Sequence, residues 1–267
     1  MAVHTREALA VRGRDAVSDE FASAKHTAFR VIAWIMAVSA IAFGIVTAGT
    51  AIFVEEMEVH AFHNVVVASL LLVISAPAAL RAARHADHPL PGLMQIAAIG
   101  VAGVATMALG LTLDPFTLPF IALGAVLWVS WLRRPERDAF PAERPSLVLL
   151  VLVAAASVPL AISASDNARL QRIDDVSEHA ELFHWVETSF YALAVLLLGL
   201  LAALRPRAFR MSAWSAGIAL AIMGGASLGL SDHASALRTP WPAIALAGGI
   251  VFVAAAEWEA RRRGTGR

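Results

Sequence analysis

Two stretches of the chain, HAFHNVVVASLLLVISAPAALR (60–81) and HWVETSFYALAVLLLGLLAALR (184–205), follow the same pattern. Each begins with a histidine, continues through a long apolar segment and ends in Ala-Ala-Leu-Arg. An apolar segment of about 20 residues is long enough to cross the core of a bilayer as a helix. The pattern therefore predicts two membrane-spanning helices, each with a histidine at one end and an arginine at the other.

The composition of the whole chain supports a membrane protein. Of its 267 residues 58% are hydrophobic and 16% are charged, and the mean hydropathy is +0.68. Soluble domains are about 45–50% apolar and about 25% charged. The chain contains no cysteine, which excludes disulfides, thiolate metal sites and cysteine nucleophiles.

Apolar segments recur along the whole chain, and eight of them are long enough to span a bilayer. They lie at residues 28–54, 62–80, 92–113, 116–132, 146–164, 185–204, 211–230 and 240–257. The fourth is the shortest. These segments predict an all-α, polytopic membrane protein with about eight transmembrane helices.

An internal repeat relates the two halves of this pattern. A shift of 124 residues places 60–81 over 184–205 with seven of 22 positions identical, and His60 then aligns with His184. Four spans are an even number, so the repeat predicts two four-helix halves in parallel orientation. The predicted organisation is a polar cytoplasmic tail (1–27), a first half (28–134), a cytoplasmic linker (135–145), a second half (146–258) and a basic cytoplasmic tail (259–267).

Arginines and lysines define the predicted orientation. With both termini in the cytoplasm, 18 of the 21 basic residues are cytoplasmic, and only Arg169, Arg172 and Arg238 lie outside. This bias follows the positive-inside rule. It predicts a multi-pass protein of the cell membrane, with the lipid bilayer as its principal partner. Because the positive-inside rule accounts for the cytoplasmic arginines, no nucleic-acid-binding face is expected.

Five of the nine histidines fall on the extracytoplasmic side. Glu56, His60 and His63 have the spacing i, i+4, i+7 and form one stripe where helix 2 begins. Glu181, His184 and Glu187 form a corresponding stripe on helix 6, if that helix begins a turn before the membrane. His179 lies five residues before His184, so its side chain approaches this stripe only if the connecting loop bends back.

Ionisable groups at membrane depth pair with each other, line a wet cavity or bind a ligand. Imidazole and carboxylate together suit zinc, iron, manganese or copper ions, and His60 and His184, one from each half, could instead hold haem between them. A histidine bonded to a carboxylate at the membrane interface is the structural alternative. The predicted metal ligands are Glu56, His60, His63, His184, Glu187, Asp232 and His233.

The segment EEMEVHAFH (55–63) resembles the acid-and-histidine entry to the second helix of heme A synthase. That family also has eight helices in two four-helix halves, and the resemblance implies haem as a cofactor. Its histidines in helices 4 and 8 have no counterpart here, because neither helix contains one. The resemblance is therefore one of architecture.

Three functions remain open from the sequence. The first is a metal- or haem-binding membrane protein, acting as a redox or hydrolytic enzyme or in metal handling. The second is a cation or proton transporter, which is disfavoured because the inner halves of helices 2, 3, 6 and 7 lack ionisable residues. The third is a non-catalytic scaffold or assembly partner, whose histidine stripes would face apart. A homo-oligomer or a membrane partner protein is compatible with each.

Overall fold

The structure, a computed structural model, describes residues 2–54, 60–132, 144–174, 176–204 and 208–264. All regular secondary structure in these residues is helical. One short helix, Glu178–Glu181, lies in a connection. The long helices, numbered in chain order, are α1 (Ala2–Phe53), α2 (Ala61–Arg84), α3 (Leu90–Gly110), α4 (Thr117–Leu132), α5 (Leu147–Ile173), α6 (His184–Ala203), α7 (Phe209–Gly229) and α8 (Trp241–Gly264).

Seven of these helices contain a segment that is long and apolar enough to cross a membrane. The remaining one, α4, has 16 residues, which at a rise of 1.5 Å per residue is about 24 Å and shorter than a bilayer core of about 30 Å. The all-α polytopic membrane fold predicted from the sequence is thus confirmed.

Several helices extend beyond the apolar segments that predict them. Helix α1 begins at Ala2, so the segment predicted as a polar tail continues the helix of the first span. Helix α5 continues to Ile173, nine residues past its predicted end at 164. Hydropathy locates only the part of a helix that faces lipid, and polar residues prolong these helices beyond it. Most of the predicted linker 135–145 lies outside the described residues.

Helix α6 lies at the centre of the bundle. Its membrane segment is 67% buried by protein, against 22% for those of α5 and α8. The Tyr191 hydroxyl donates to the carbonyl of Ala219 on α7 (2.7 Å) and accepts a hydrogen bond from Ser69 on α2 (2.7 Å). Helices α2 and α6, which carry the two repeated histidines, therefore pack against each other in the interior.

Helix α2 is interrupted by one π-helical segment, Leu70–Ser75, just before Pro77. Proline has no backbone N–H, so the carbonyl four residues earlier, that of Val73, loses its helical partner. The Ser215 hydroxyl donates to this carbonyl (2.8 Å), and the Gln95 amide donates to that of Ile74 (2.8 Å). Neighbouring side chains thus satisfy backbone groups that the bilayer could not.

Glycines allow α7 and α8 to approach closely. A Cβ atom built on Gly224 would lie 2.4 Å from the backbone nitrogen of Leu246, while one built on Gly225 would meet nothing within 4 Å. Small residues at such contacts let helix backbones pack directly in membranes. Gly224 is therefore required for close packing of α7 against α8, whereas a side chain at Gly225 would meet no neighbouring atom.

We expect Gly224→Ala to destabilise the protein and Gly225→Ala to leave it unchanged or slightly more stable. The first substitution forces α7 and α8 apart, and overpacking of this kind costs about 1–3 kcal/mol. Thermal unfolding of the purified protein in detergent measures the difference. Equal melting temperatures for the two variants would contradict the packing role of Gly224.

Candidate metal centre

Five histidine side chains converge at one end of the bundle. His60 immediately precedes α2, His63 lies in its first turn, and His184 is the first residue of α6. His179 comes from the short helix Glu178–Glu181, and His233 from the connection between α7 and α8. Two groups of three, His60–His179–His184 and His63–His179–His233, each have ligand atoms within 4.8 Å of one another.

His60 and His184, the aligned residues of the repeat, are in direct contact. Their Nδ1 atoms are 3.2 Å apart, so in neutral rings one Nδ1 donates a hydrogen bond and the other accepts it. Nitrogen ligands bound at about 2.1 Å in a tetrahedral metal site are about 3.4 Å apart. The two nitrogens therefore already have nearly the separation that a shared metal ion requires.

The tautomer of His63 follows from its hydrogen bonds. Thr188 donates its only hydroxyl proton to the carbonyl of His184 (3.1 Å), so it must accept the hydrogen bond from Nδ1 of His63 (3.0 Å). Nε2 of His63 then carries a lone pair. This atom is buried and has no hydrogen-bond partner in the part of the chain that the structure describes. A metal-binding histidine commonly has this arrangement, with one ring N–H bonded to a fixed acceptor.

His233 lies against His63, with ring centroids 4.6 Å apart. Its Nδ1 accepts a hydrogen bond from the backbone N–H of Ser235 (3.3 Å). Metal binding through either nitrogen of His233 would displace this long bond, because a ligating neutral imidazole keeps its proton on the other nitrogen.

His179 belongs to both groups of three, and a neutral imidazole ring can bind only one ion through its one free lone pair. The cluster thus offers two alternative positions for a single ion.

The chain reverses direction before α6, and this turn places His179 in the cluster. Phe183 has a left-handed backbone (φ 61°) and separates the short helix from α6. His179 stacks on Trp185 with ring centroids 5.0 Å apart. The Ser177 hydroxyl and the Trp185 indole N–H both donate to Asp174. These bonds, that of Ser177 foremost, hold the pKa of the Asp174 carboxyl below its usual value.

The connection that carries His233 is anchored to two helices. The Ser235 hydroxyl donates to Asn167 on α5 (2.6 Å), and the Ser227 hydroxyl on α7 accepts from the backbone N–H of Leu237 (3.0 Å). Asn167 lies on the part of α5 beyond its predicted end at 164. The extension of α5 therefore helps to position a candidate ligand.

The structure separates the predicted histidines from the predicted carboxylates. His60, His63, His184 and His233 come together, whereas Glu187 and Asp232 belong to neither group of three among the described residues. Glu187 lines a cavity that His184 also borders, and the exposed Asp232 borders a surface concavity that reaches His179 and His233. Glu56 lies outside the described residues.

Two further contacts of the cluster were not predicted from the sequence. The Glu178 carboxylate approaches Nε2 of His60 to 3.5 Å, and it is 70% exposed. Thr188, which holds His63, follows His184 by one helical turn. The spacing of His184 and Thr188 at i, i+4 was the available signal, but a threonine near the end of an apolar helix is common.

Comparison of the chain with profiles of known protein families, with curated proteins and with solved structures found no match. The fold and the site themselves define a helical, membrane-spanning protein whose clustered histidines could hold a metal ion.

Substitution of Thr188 should alter metal affinity without removing a ligand. In Thr188→Val, Nδ1 of His63 loses its acceptor, and loss of such a partner typically weakens metal binding by about 10–100-fold. Thr188→Ser retains the hydroxyl and should bind metal like the unaltered protein. Competition with a chromophoric chelator measures both affinities, and equal affinity for the valine and serine variants would rule out this positioning role.

Proposed function

We propose that this protein is a membrane metalloprotein that binds one divalent transition-metal ion through imidazoles of the five-histidine cluster. The observation that carries the proposal is the state of His63. Its Nδ1 proton is held by Thr188, and its buried Nε2 lone pair has no hydrogen-bond partner among the described residues. His63 also belongs to a group of three with His179 and His233, whose ligand atoms lie within 4.8 Å of one another. A buried polar atom without a partner is costly, and a metal ion would satisfy it.

The donor set favours zinc or copper. Imidazole suits both ions, whereas manganese prefers carboxylate oxygens, and neither group of three contains a carboxylate among the described residues. Three protein ligands leave a coordination position for water or substrate, as in catalytic zinc sites. We therefore propose a membrane enzyme, hydrolytic if it binds zinc and redox-active if it binds copper.

A bare ion fits this arrangement better than haem does. Two imidazoles that share a haem iron have the flat macrocycle between them. Nδ1 of His60 and Nδ1 of His184 are 3.2 Å apart and in hydrogen-bond contact, so no macrocycle fits between these rings. The touching histidines support an ion held by several rings at once.

The buried polar groups elsewhere support a metal site over a path for ions. Gln95 bonds to Ser212, Ser215 and a backbone carbonyl, and Ser215 bonds to another carbonyl. These groups stabilise the π-helical segment of α2, so their hydrogen-bonding capacity is used for structure. A transporter would instead need polar groups directed at a continuous passage.

Metal content tests the proposal directly. After incubation with Zn²⁺ or Cu²⁺ and removal of excess metal, elemental analysis should find about one ion per chain, because the two positions share His179. His63→Gln should lose the ion, while His85→Gln, altered in an exposed turn at the other end of α2, should keep it. Bound metal should also raise the melting temperature.

Two controls make the result decisive. The metal-free His63→Gln protein should unfold near the temperature of the metal-free unaltered protein, which shows that the fold persists. If the unaltered protein retains no ion and its melting temperature is the same with and without Zn²⁺ or Cu²⁺, the proposed metal site is wrong.

We further propose that the histidine cluster faces the extracytoplasmic side, with both termini in the cytoplasm. The chain has no cysteine, so single cysteines report topology without background. Ser231→Cys, beside the cluster, should react with a membrane-impermeant maleimide in intact cells. His85→Cys should react only after permeabilisation, and the reverse pattern would overturn the orientation.

A further inference from the structure

A cavity of about 430 Å³ lies beside the histidine cluster and is lined mainly by α1, α2, α4 and α6. This volume is in the range of about 300–1,000 Å³ found for small-molecule sites. His184 belongs both to one histidine group and to the cavity wall. A molecule in the cavity would therefore lie next to the proposed metal ion.

The cavity has a polar end and an apolar body. Asn64, His184 and Glu187 line it near the cluster, whereas further along the helices the lining is mainly apolar, as at Leu71 and Phe190, and ends on α2 at the hydroxyl-bearing Ser75. On α2 its lining continues from Asn64 to Ser75, about 16 Å at a rise of 1.5 Å per residue. This shape matches a molecule with a small polar head and an extended apolar chain.

The bilayer itself gives access to the cavity. Phe43 on α1 and Phe116 before α4 both line it, yet their side chains are 63% and 60% exposed. Exposed aromatic side chains on a membrane bundle face lipid. An apolar molecule could thus enter sideways between α1 and α4 without crossing the aqueous phase.

The charges of the wall restrict the head group. No lysine or arginine is among the described residues that line the cavity, so a phosphate or carboxylate head would lack a counter-charge. The Glu187 carboxyl faces the cavity and makes no hydrogen bond with the described residues. A carboxyl at membrane depth is costly without a partner, and an uncharged hydroxyl or carbonyl group could provide one.

We propose that this cavity binds an uncharged, single-chain lipid-soluble molecule, with its hydroxyl or carbonyl head at Glu187 and His184 and its chain directed towards Ser75. The role of this cavity as a substrate site rests on the proposed metal function. Binding of the lipid-soluble molecule itself does not require the metal, so the cavity and the metal site can be tested separately.

A photoreactive long-chain alcohol, with a diazirine in its chain, tests the site in the full-length protein in detergent. Crosslinks should map to the parts of α1, α2, α4 and α6 that line the cavity. Val67→Phe, which fills it, should abolish them. Ala156→Phe, in a separate apolar cavity between α5, α6, α7 and α8, should have no effect. Uniform labelling of lipid-facing helices, unaffected by Val67→Phe, would overturn the proposal.

The head group is tested with two further comparisons. Glu187→Leu removes one hydrogen bond and should lower affinity for the alcohol by about tenfold, while Glu187→Gln, which can still donate and accept, should retain most of it. A carboxylate probe of the same chain length should label the cavity more weakly than the alcohol. Equal labelling by the two probes would contradict an uncharged head.

Metal and lipid binding are separated by His63→Gln, which lacks the proposed metal ligand and leaves the cavity wall unchanged. Its labelling by the alcohol should persist. If the unaltered protein is labelled specifically but binds no metal, the proposed lipid site stands and the proposed metal site is wrong. If the unaltered protein binds metal but is labelled non-specifically, only the proposed lipid site is wrong.

Discussion

The hydrogen bond between Nδ1 of His63 and Thr188 joins two central helices, and the chemistry of the cluster depends on it. Thr188 is committed as a donor to the carbonyl of His184, so the bond determines which nitrogen of His63 carries a proton. Nε2 is left as a buried lone pair. In water either tautomer would be solvated, but inside a membrane bundle the backbone of α6 selects one. Helix packing thus orients the candidate ligand atom.

The histidines of the cluster come from elements far apart in the chain, and each is held by ordinary structural contacts. His233 depends on a loop bonded to Asn167 of α5, and His179 on a turn at Phe183 and a stack on Trp185. No single element builds the site, which forms only when the helices have packed. Metal binding should therefore stabilise the whole bundle, because the ion would connect several separate segments of the chain.

The sequence predicted the fold class and the histidines of α2 and α6, because hydropathy and helical spacing are local properties. It left His179 open, since its position depends on a left-handed residue at Phe183, which no propensity favours at a bulky side chain. It grouped Glu187 with the metal ligands because Glu187 and His184 are three residues apart. Which neighbour a helix face meets is decided by tertiary packing, and here Glu187 meets a cavity bordered by α1 and α4.

The π-helical segment of α2 changes the direction in which side chains point at the two ends of this helix. A π turn contains one residue more than an α turn, so it rotates all later side chains by about 100° relative to an uninterrupted helix. His63 before it faces the cluster, while Ala78 and Ala79 after it pack in the core with Phe29 and Ala33 of α1. Without the extra residue, one of these two faces would turn away from its partner. The segment lets a single helix satisfy two orientations that a regular α-helix of this sequence could not satisfy together.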